Sequence, residues 1–93
     1  MKTDWAIARE LLNKPIKEVS LKTGLDITSL RHYENGSITP NQFKSQVMLD
    51  YYKPLLQQLP GKRILKLINT LIYITQIAPE KTWGGKRLKL KIQ

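Results

Sequence analysis

Apolar positions recur at helical spacing in five separate stretches of the chain, each bounded by residues that start or stop helices. Trp5, Ile7, Ala8, Leu11 and Leu12 are expected on the inward face of a first helix. Thr3 or Asp4 can cap it by accepting free N–H groups of the opening turn. Asn13-Lys14-Pro15 ends that helix, because a residue preceding proline is pushed out of the α region. Pro15 in turn suits the entry of the next helix, where its missing N–H is no loss. This second helix, 16–23, turns Ile16, Val19 and Ser20 inward and stops at Gly24, which can take the left-handed conformation of a helix end. Leu25 follows as a buried turn residue, and Asp26 is placed to cap a third helix, 27–35, which Asn35-Gly36 closes.

The second half is patterned less cleanly. A loop containing Pro40 leads into a fourth helix from about 41 to 52, with Phe43, Val47, Met48 and Tyr51 as its expected inward set. Lys53-Pro54 and Pro60-Gly61 punctuate a short turn of helix over 55–59. The most apolar segment, 62–78, repeats Ile64, Leu67, Ile68, Leu71 and Ile74 at helical spacing, while Leu65, Ile72 and Ile77 widen the stripe beyond one face. Its β-branched content suits a strand and its length a helix; length decides for helix. After Pro79 and the turn signal Trp83-Gly84-Gly85, Leu88 to Ile92 alternates apolar and basic residues with the period of a short amphipathic strand. The expected fold is mainly all-α, a compact bundle of about five helices with a basic C-terminal tail of strand-like pattern. Residues 1–59 form one unit, and 60–93 add an apolar helix and tail, either within the same compact body or as a dimerisation element.

Charge divides along the same line. The 93 residues carry a formal +9, which favours an anionic partner such as nucleic acid or an acidic surface. Residues 1–60 hold eight Lys and Arg against six acids, and residues 61–93 hold the other eight against Glu80 alone. Lys81, Lys86, Arg87, Lys89 and Lys91 form an auxiliary basic tail of the kind that tracks phosphates, or one that merely keeps the chain soluble. The absence of cysteine excludes disulfides, thiolate metal sites and thiol catalysis, and fits a reducing, cytoplasmic setting. Asp4, Arg9 and Glu10 make the N-terminus unlike a signal peptide. The apolar run 64–78 is interrupted by Lys66, Asn69, Thr70, Thr75 and Gln76 and is too short to span a bilayer, so no membrane partner is expected.

Two short helices joined at a glycine form a helix-turn-helix pattern with physical demands. The residue four before the glycine must be small for the helices to approach, and Ser20 is. Gly24 supplies the backbone other residues resist, and Val19, Leu25, Leu30 and Tyr33 supply apolar packing beneath the turn.

These residues, with Tyr33-Glu34-Asn35-Gly36 and the following Pro40, make residues 5–52 resemble the phage repressor and Cro (XRE-type) helix-turn-helix family, whose closing signature is E-N-G followed by P. The resemblance implies a buried ion pair between Arg9 and Glu34 that clamps the first helix to the end of the recognition helix. It also implies double-stranded DNA as partner, a homodimer on two half-sites about one helical turn apart, and a role as repressor of a phage, plasmid or other mobile element. One position departs from the family. Where its members often carry a glutamine that contacts phosphate, this chain has Ile16, and Lys17 is the available substitute. The string 28–34 is also similar to the recognition helix of MerR-type regulators, but the sequence after Glu34 lacks their wing.

With Leu30 and Tyr33 inward, the opposite face of helix 27–35 presents Ile27, Thr28, Arg31 and His32 as candidate base readers. The planar fork of Arg31 matches guanine O6 and N7, Ile27 suits a thymine methyl, and Thr28 suits a base edge or a phosphate. Lys17, Ser29, Asn35, Thr39 and Asn41 are the candidate phosphate contacts. Arg31 has the alternative of pairing with a nearby acid, Thr28 that of assisting Asp26 as a cap, and His32 that of an exposed ring without a role. His32 has no second histidine, cysteine or paired carboxylates near it, so neither a metal site, a cofactor nor an enzyme is expected. The apolar 64–78 segment is a candidate dimer interface, a candidate surface for a protein partner of the antitoxin or adaptor kind, or a fifth core helix.

Overall fold

The computed structural model describes residues 2–76, most of them in five helices: α1 Asp4–Leu11, α2 Ile16–Thr23, α3 Ile27–Asn35, α4 Gln42–Leu56 and α5 Lys62–Gln76. The fold is an all-α helix-turn-helix bundle, with no strand among the described residues. The alternating segment Leu88–Ile92 lies outside them, as do Ile77, Ala78 and the basic tail.

Local signals set the ends of the short helices. Gly24 (φ 77°) and Gly36 (φ 83°) both sit in the left-handed region at the ends of α2 and α3, where a Cβ would clash with its own backbone. The Asp26 carboxylate accepts from the N–H groups of Thr28 (3.0 Å) and Ser29 (3.3 Å), and the Asn41 side chain accepts from the N–H of Lys44 at 2.8 Å. Thr3 does something else. It occupies the N-cap position of α1 without a side-chain cap bond. Its hydroxyl instead directs its one proton toward the Tyr33 carbonyl at 2.8 Å, with the Glu34 carbonyl beside it at 3.1 Å, and its N–H donates to Glu34 O at 2.9 Å. Carbonyls that the end of α3 leaves without helical partners are thereby satisfied by the start of α1.

One core runs through all five helices: Trp5 and Ala8 from α1, Val19 from α2, Leu30 and Tyr33 from α3, Met48, Leu49, Tyr52 and Leu56 from α4, and Ile64, Leu67, Ile68 and Leu71 from α5. Two expected inward sets are corrected. Ile7 and Leu11 are exposed, because they lie on the side of α1 opposite Trp5, and the helix instead buries Trp5, Ala6 and Ala8. Phe43 is 73% exposed, while Ser45 takes the buried place on α4 ahead of Met48, Leu49, Tyr52 and Leu56. A serine is tolerated there because its hydroxyl reaches the Pro40 carbonyl, at 3.4 Å.

Proline punctuation at 53–54 also fails, since α4 passes through Pro54 to Leu56. Tyr52 and Leu56, four residues apart and both buried, hold the last turn against the core. Asp50, whose carbonyl loses its helical partner to the proline, is exposed and open to water. Gln57 N adds a last helical bond to Lys53 O at 2.9 Å, and turn bonds, Gln58 N to Leu55 O and Leu59 N to Leu56 O, follow. Helix α5 packs on α1 and α4 and completes the core. Its buried Thr75 donates to Leu71 O at 2.8 Å, while Leu65 and Tyr73 face outward. Among the described residues, no helix is long and apolar enough to cross a membrane.

Candidate nucleic-acid interface

The α2–α3 turn is Gly24-Leu25-Asp26, and side chains lock it from within. Ser20 Oγ donates to Leu25 O at 2.6 Å, and Thr23 Oγ1 donates to Val19 O at 2.7 Å while accepting from Leu25 N at 3.2 Å. The small residue at 20 therefore bonds across the space that close approach requires. Beneath the turn, Val19, Leu30 and Tyr33 are buried and Leu25 packs at the margin of the core.

The far end of α3 is held by charge. Arg9 Nε and Nη2 donate to the two carboxylate oxygens of Glu34 at 2.7 and 3.0 Å, and Nη1 donates to Lys14 O at 2.9 Å. One guanidinium thus joins α1, the lead-in to α2 and the end of α3. The side chains retain 23% and 12% of their exposure, so the pair is mostly shielded from water. The hydrogen bond to Glu34 keeps the Arg9 guanidinium above its ordinary pKa, outweighing the desolvation that opposes it.

Thr28, Arg31 and Asn35 project into solvent from the opposite side of α3, with Ile27, Ser29 and His32 half-buried beside them. The spacing of Thr28, Arg31, His32 and Asn35 is that of a single helix face. No ion pair engages Arg31 among the described residues. It borders a shallow groove of about 380 Å³ with Lys2, Ile16, Glu34 and Asn35. Asp26 alone supplies the cap, leaving the Thr28 hydroxyl outside that bond. Asn35 Oδ1 accepts from Ser37 N (2.9 Å) and Ser37 Oγ (2.7 Å), so its amide N–H groups are the ones left to face outward. Thr39 and Asn41 are exposed at the loop and the start of α4, where the Asn41 oxygen is already used as a cap. Lys17 is exposed on the first turn of α2, beside an Ile16 that packs against the core. Lys81, Lys86, Arg87, Lys89 and Lys91 lie outside the described residues.

Sequence reasoning overlooked two residues. Ser37 links the side chains of His32 and Asn35, and its signal was the Asn-x-Ser spacing of a side-chain turn. Lys2 joins the groove beside Arg31, and nothing in its sequence context marks it. No cluster of metal-ligating side chains occurs among the described residues.

A family model described as helix-turn-helix matches residues 6–53, from within α1 to near the end of α4. Neither the curated proteins nor the solved structures yield a match. That match covers more than half of the chain and coincides with the glycine turn, the clamped third helix and its polar outer face: the chain belongs to the helix-turn-helix family of DNA-binding regulatory domains.

Proposed function

We propose that this protein is a cytoplasmic, sequence-specific transcription regulator that lays α3 in the major groove of double-stranded DNA. It binds as a homodimer and represses a phage, plasmid or other mobile element by occluding a promoter. The observation that carries the reading is the outer face of α3, polar and solvent-exposed on a helix fixed at both ends. The major groove admits such a helix and displays a distinct pattern for each base pair. Arg31 reads guanine, Thr28 and Ile27 contact neighbouring base edges, and His32 completes the reading set. Lys17, Ser29, Asn35, Thr39 and Asn41 hold phosphates, and the basic tail adds affinity without sequence preference.

Dimerisation is supported by the outer side of α5, where Leu65 (62% exposed) and Tyr73 (52% exposed) flank a partly buried Ile72. A single recognition helix reads too few base pairs to act alone, and a two-fold partner doubles the site. The same residues favour the alternative reading, a MerR-like or antitoxin/adaptor-type protein that uses 64–78 to hold another protein.

Selection of bound sequences from a random DNA pool at moderate salt tests the proposal. A palindromic motif is the expected result, and Arg31→Ala is expected to relax it at one position in each half-site. Truncation of residues 81–93 weakens all sequences alike and flattens the salt dependence. Failure to enrich any sequence, with a second protein copurifying instead, transfers the case to the adaptor reading.

A further inference from the structure

We infer that the neutral His32 ring reads an exocyclic amino group of a base, adenine N6 or cytosine N4, through Nε2, and that Ser37 and Asn35 fix that ring's one proton on Nδ1. The inference rests on the proposed reading of DNA by α3 and assigns one base-reading residue its chemistry.

The argument is an accounting of protons. The backbone N–H of Ser37 lies 2.9 Å from the Asn35 side-chain oxygen. A backbone amide can only donate, so the Asn35 atom it meets must be the carbonyl oxygen and not the amide nitrogen. That oxygen carries no proton, so the Ser37 hydroxyl, 2.7 Å from it, must be the donor of their contact. The hydroxyl has a single proton and has now used it. Its contact with His32 Nδ1, also at 2.7 Å, must therefore be one in which the ring nitrogen donates. Nδ1 bears the proton, and in the neutral ring Nε2 keeps its lone pair. A free histidine side chain favours the proton on Nε2, so Ser37 and Asn35 impose a choice that the ring alone does not make. Among the described residues no hydrogen bond engages Nε2.

The consequence for recognition is selective. In the major groove, guanine offers only the acceptors N7 and O6, and thymine offers the acceptor O4 and a methyl group. The only donors there are adenine N6 and cytosine N4. An acceptor at Nε2 bonds to these amino groups, sets lone pair against lone pair at guanine N7 and O6 and thymine O4, and gains no hydrogen bond at the thymine methyl. Arg31, adjacent on the same face, is donor-only and suited to guanine. The two residues therefore divide the code between them: one donates, the other accepts.

Two measurements on the full chain test this. Nitrogen-15 correlation spectra in mildly alkaline solution are expected to show His32 protonated at Nδ1, and Ser37→Ala is expected to release it to the Nε2–H form. A wild-type ring carrying its proton on Nε2 overturns the inference without involving DNA. In the random-pool selection, His32→Ala is expected to lose about tenfold preference for an adenine or cytosine at one position per half-site while the remaining motif persists. Ser37→Ala weakens the same position. An unchanged motif in His32→Ala overturns this inference alone; a wild-type protein that enriches no sequence overturns it together with the DNA-reading proposal.

Discussion

Helices α2 and α3 are eight and nine residues long, and each is stopped by a glycine with positive φ. Helix α4 is fifteen residues long, runs through a proline, and reaches a C-cap, Gln57, that stays right-handed. The first pair is defined by signals within a few residues of each boundary. The second is defined by what it buries. A helix that must hold its outer face in one position needs fixed ends, and caps, glycines and the Arg9 fork provide them. A supporting layer needs only a continuous apolar stripe, and α4 and α5 supply one from Met48 to Leu71.

The largest expected effect comes from cutting the fork. Arg9→Ala leaves the Glu34 carboxylate mostly buried without its partner, and breaking one side of such a pair costs roughly 3–5 kcal/mol. Thermal unfolding followed by circular dichroism should show a large fall in Tm. An unchanged Tm in Arg9→Ala would mean that α3 is held by packing alone, and that the contrast between the two regions is false.

Tyr52 lies on the seam between them. It is almost fully buried on α4, its ring 6.3 Å from that of Trp5, within electrostatic reach of both Glu34 and Arg9. Burial, reinforced by Glu34, pushes its phenol far above the ordinary tyrosine value. The sign follows from linkage. The folded state holds this proton more tightly than the unfolded chain, so the stabilisation is complete below about pH 10 and is lost as pH rises from there toward the raised folded value. The slope is about 1.4 kcal/mol per pH unit for one group. Tyr52→Phe keeps the ring and should move the alkaline unfolding midpoint upward in a denaturant series, while an unmoved midpoint would place the alkaline transition elsewhere.

Most of α1 to α3 was legible in the sequence because its determinants are local. Pro15, Gly24, Asp26 and Gly36 each act on neighbouring backbone, and the structure bears out all four boundaries. Thr3 was misread because a threonine before a helix looks the same whether its hydroxyl caps its own helix or bonds to α3, thirty residues away. Phe43 was misread and Ser45 passed over for a related reason: on α4, hydrophobicity pointed to Phe43, but the face turned inward is fixed by the positions of Met48, Leu49, Tyr52 and Leu56. The outer face of α3 could be listed from helical spacing. The Ser37 link to His32 could not, because it depends on how the loop after Gly36 folds back.

Gly24→Ala sharpens the comparison at smaller cost. Nothing lies within 4 Å of a Cβ built at this position, so the substitution isolates backbone conformation from packing. Forcing alanine into the left-handed region is expected to cost about 1–2 kcal/mol, read as a reduced denaturation midpoint. A neutral outcome would mean that the Ser20 and Thr23 hydrogen bonds set the turn and that the glycine is dispensable.

The smallest effect is expected at Pro54, and it probes the other half of the contrast. If burial defines α4, the proline is tolerated and not instructive, and removing it should leave the helix where it is. Pro54→Ala restores an N–H that can bond to the Asp50 carbonyl, but it also frees the unfolded chain, which works against the gain. Pro54 is exposed, so no core contact is lost with the ring. The two effects nearly cancel, and the net change should stay within about 1 kcal/mol of zero. Amide exchange of Leu55 to Gln57 gives the more direct reading. Protection there that is unchanged by the substitution is expected if Tyr52 and Leu56 anchor the last turn. Protection that rises sharply would show that the proline had been weakening that turn all along, and that a local signal does limit α4 after all.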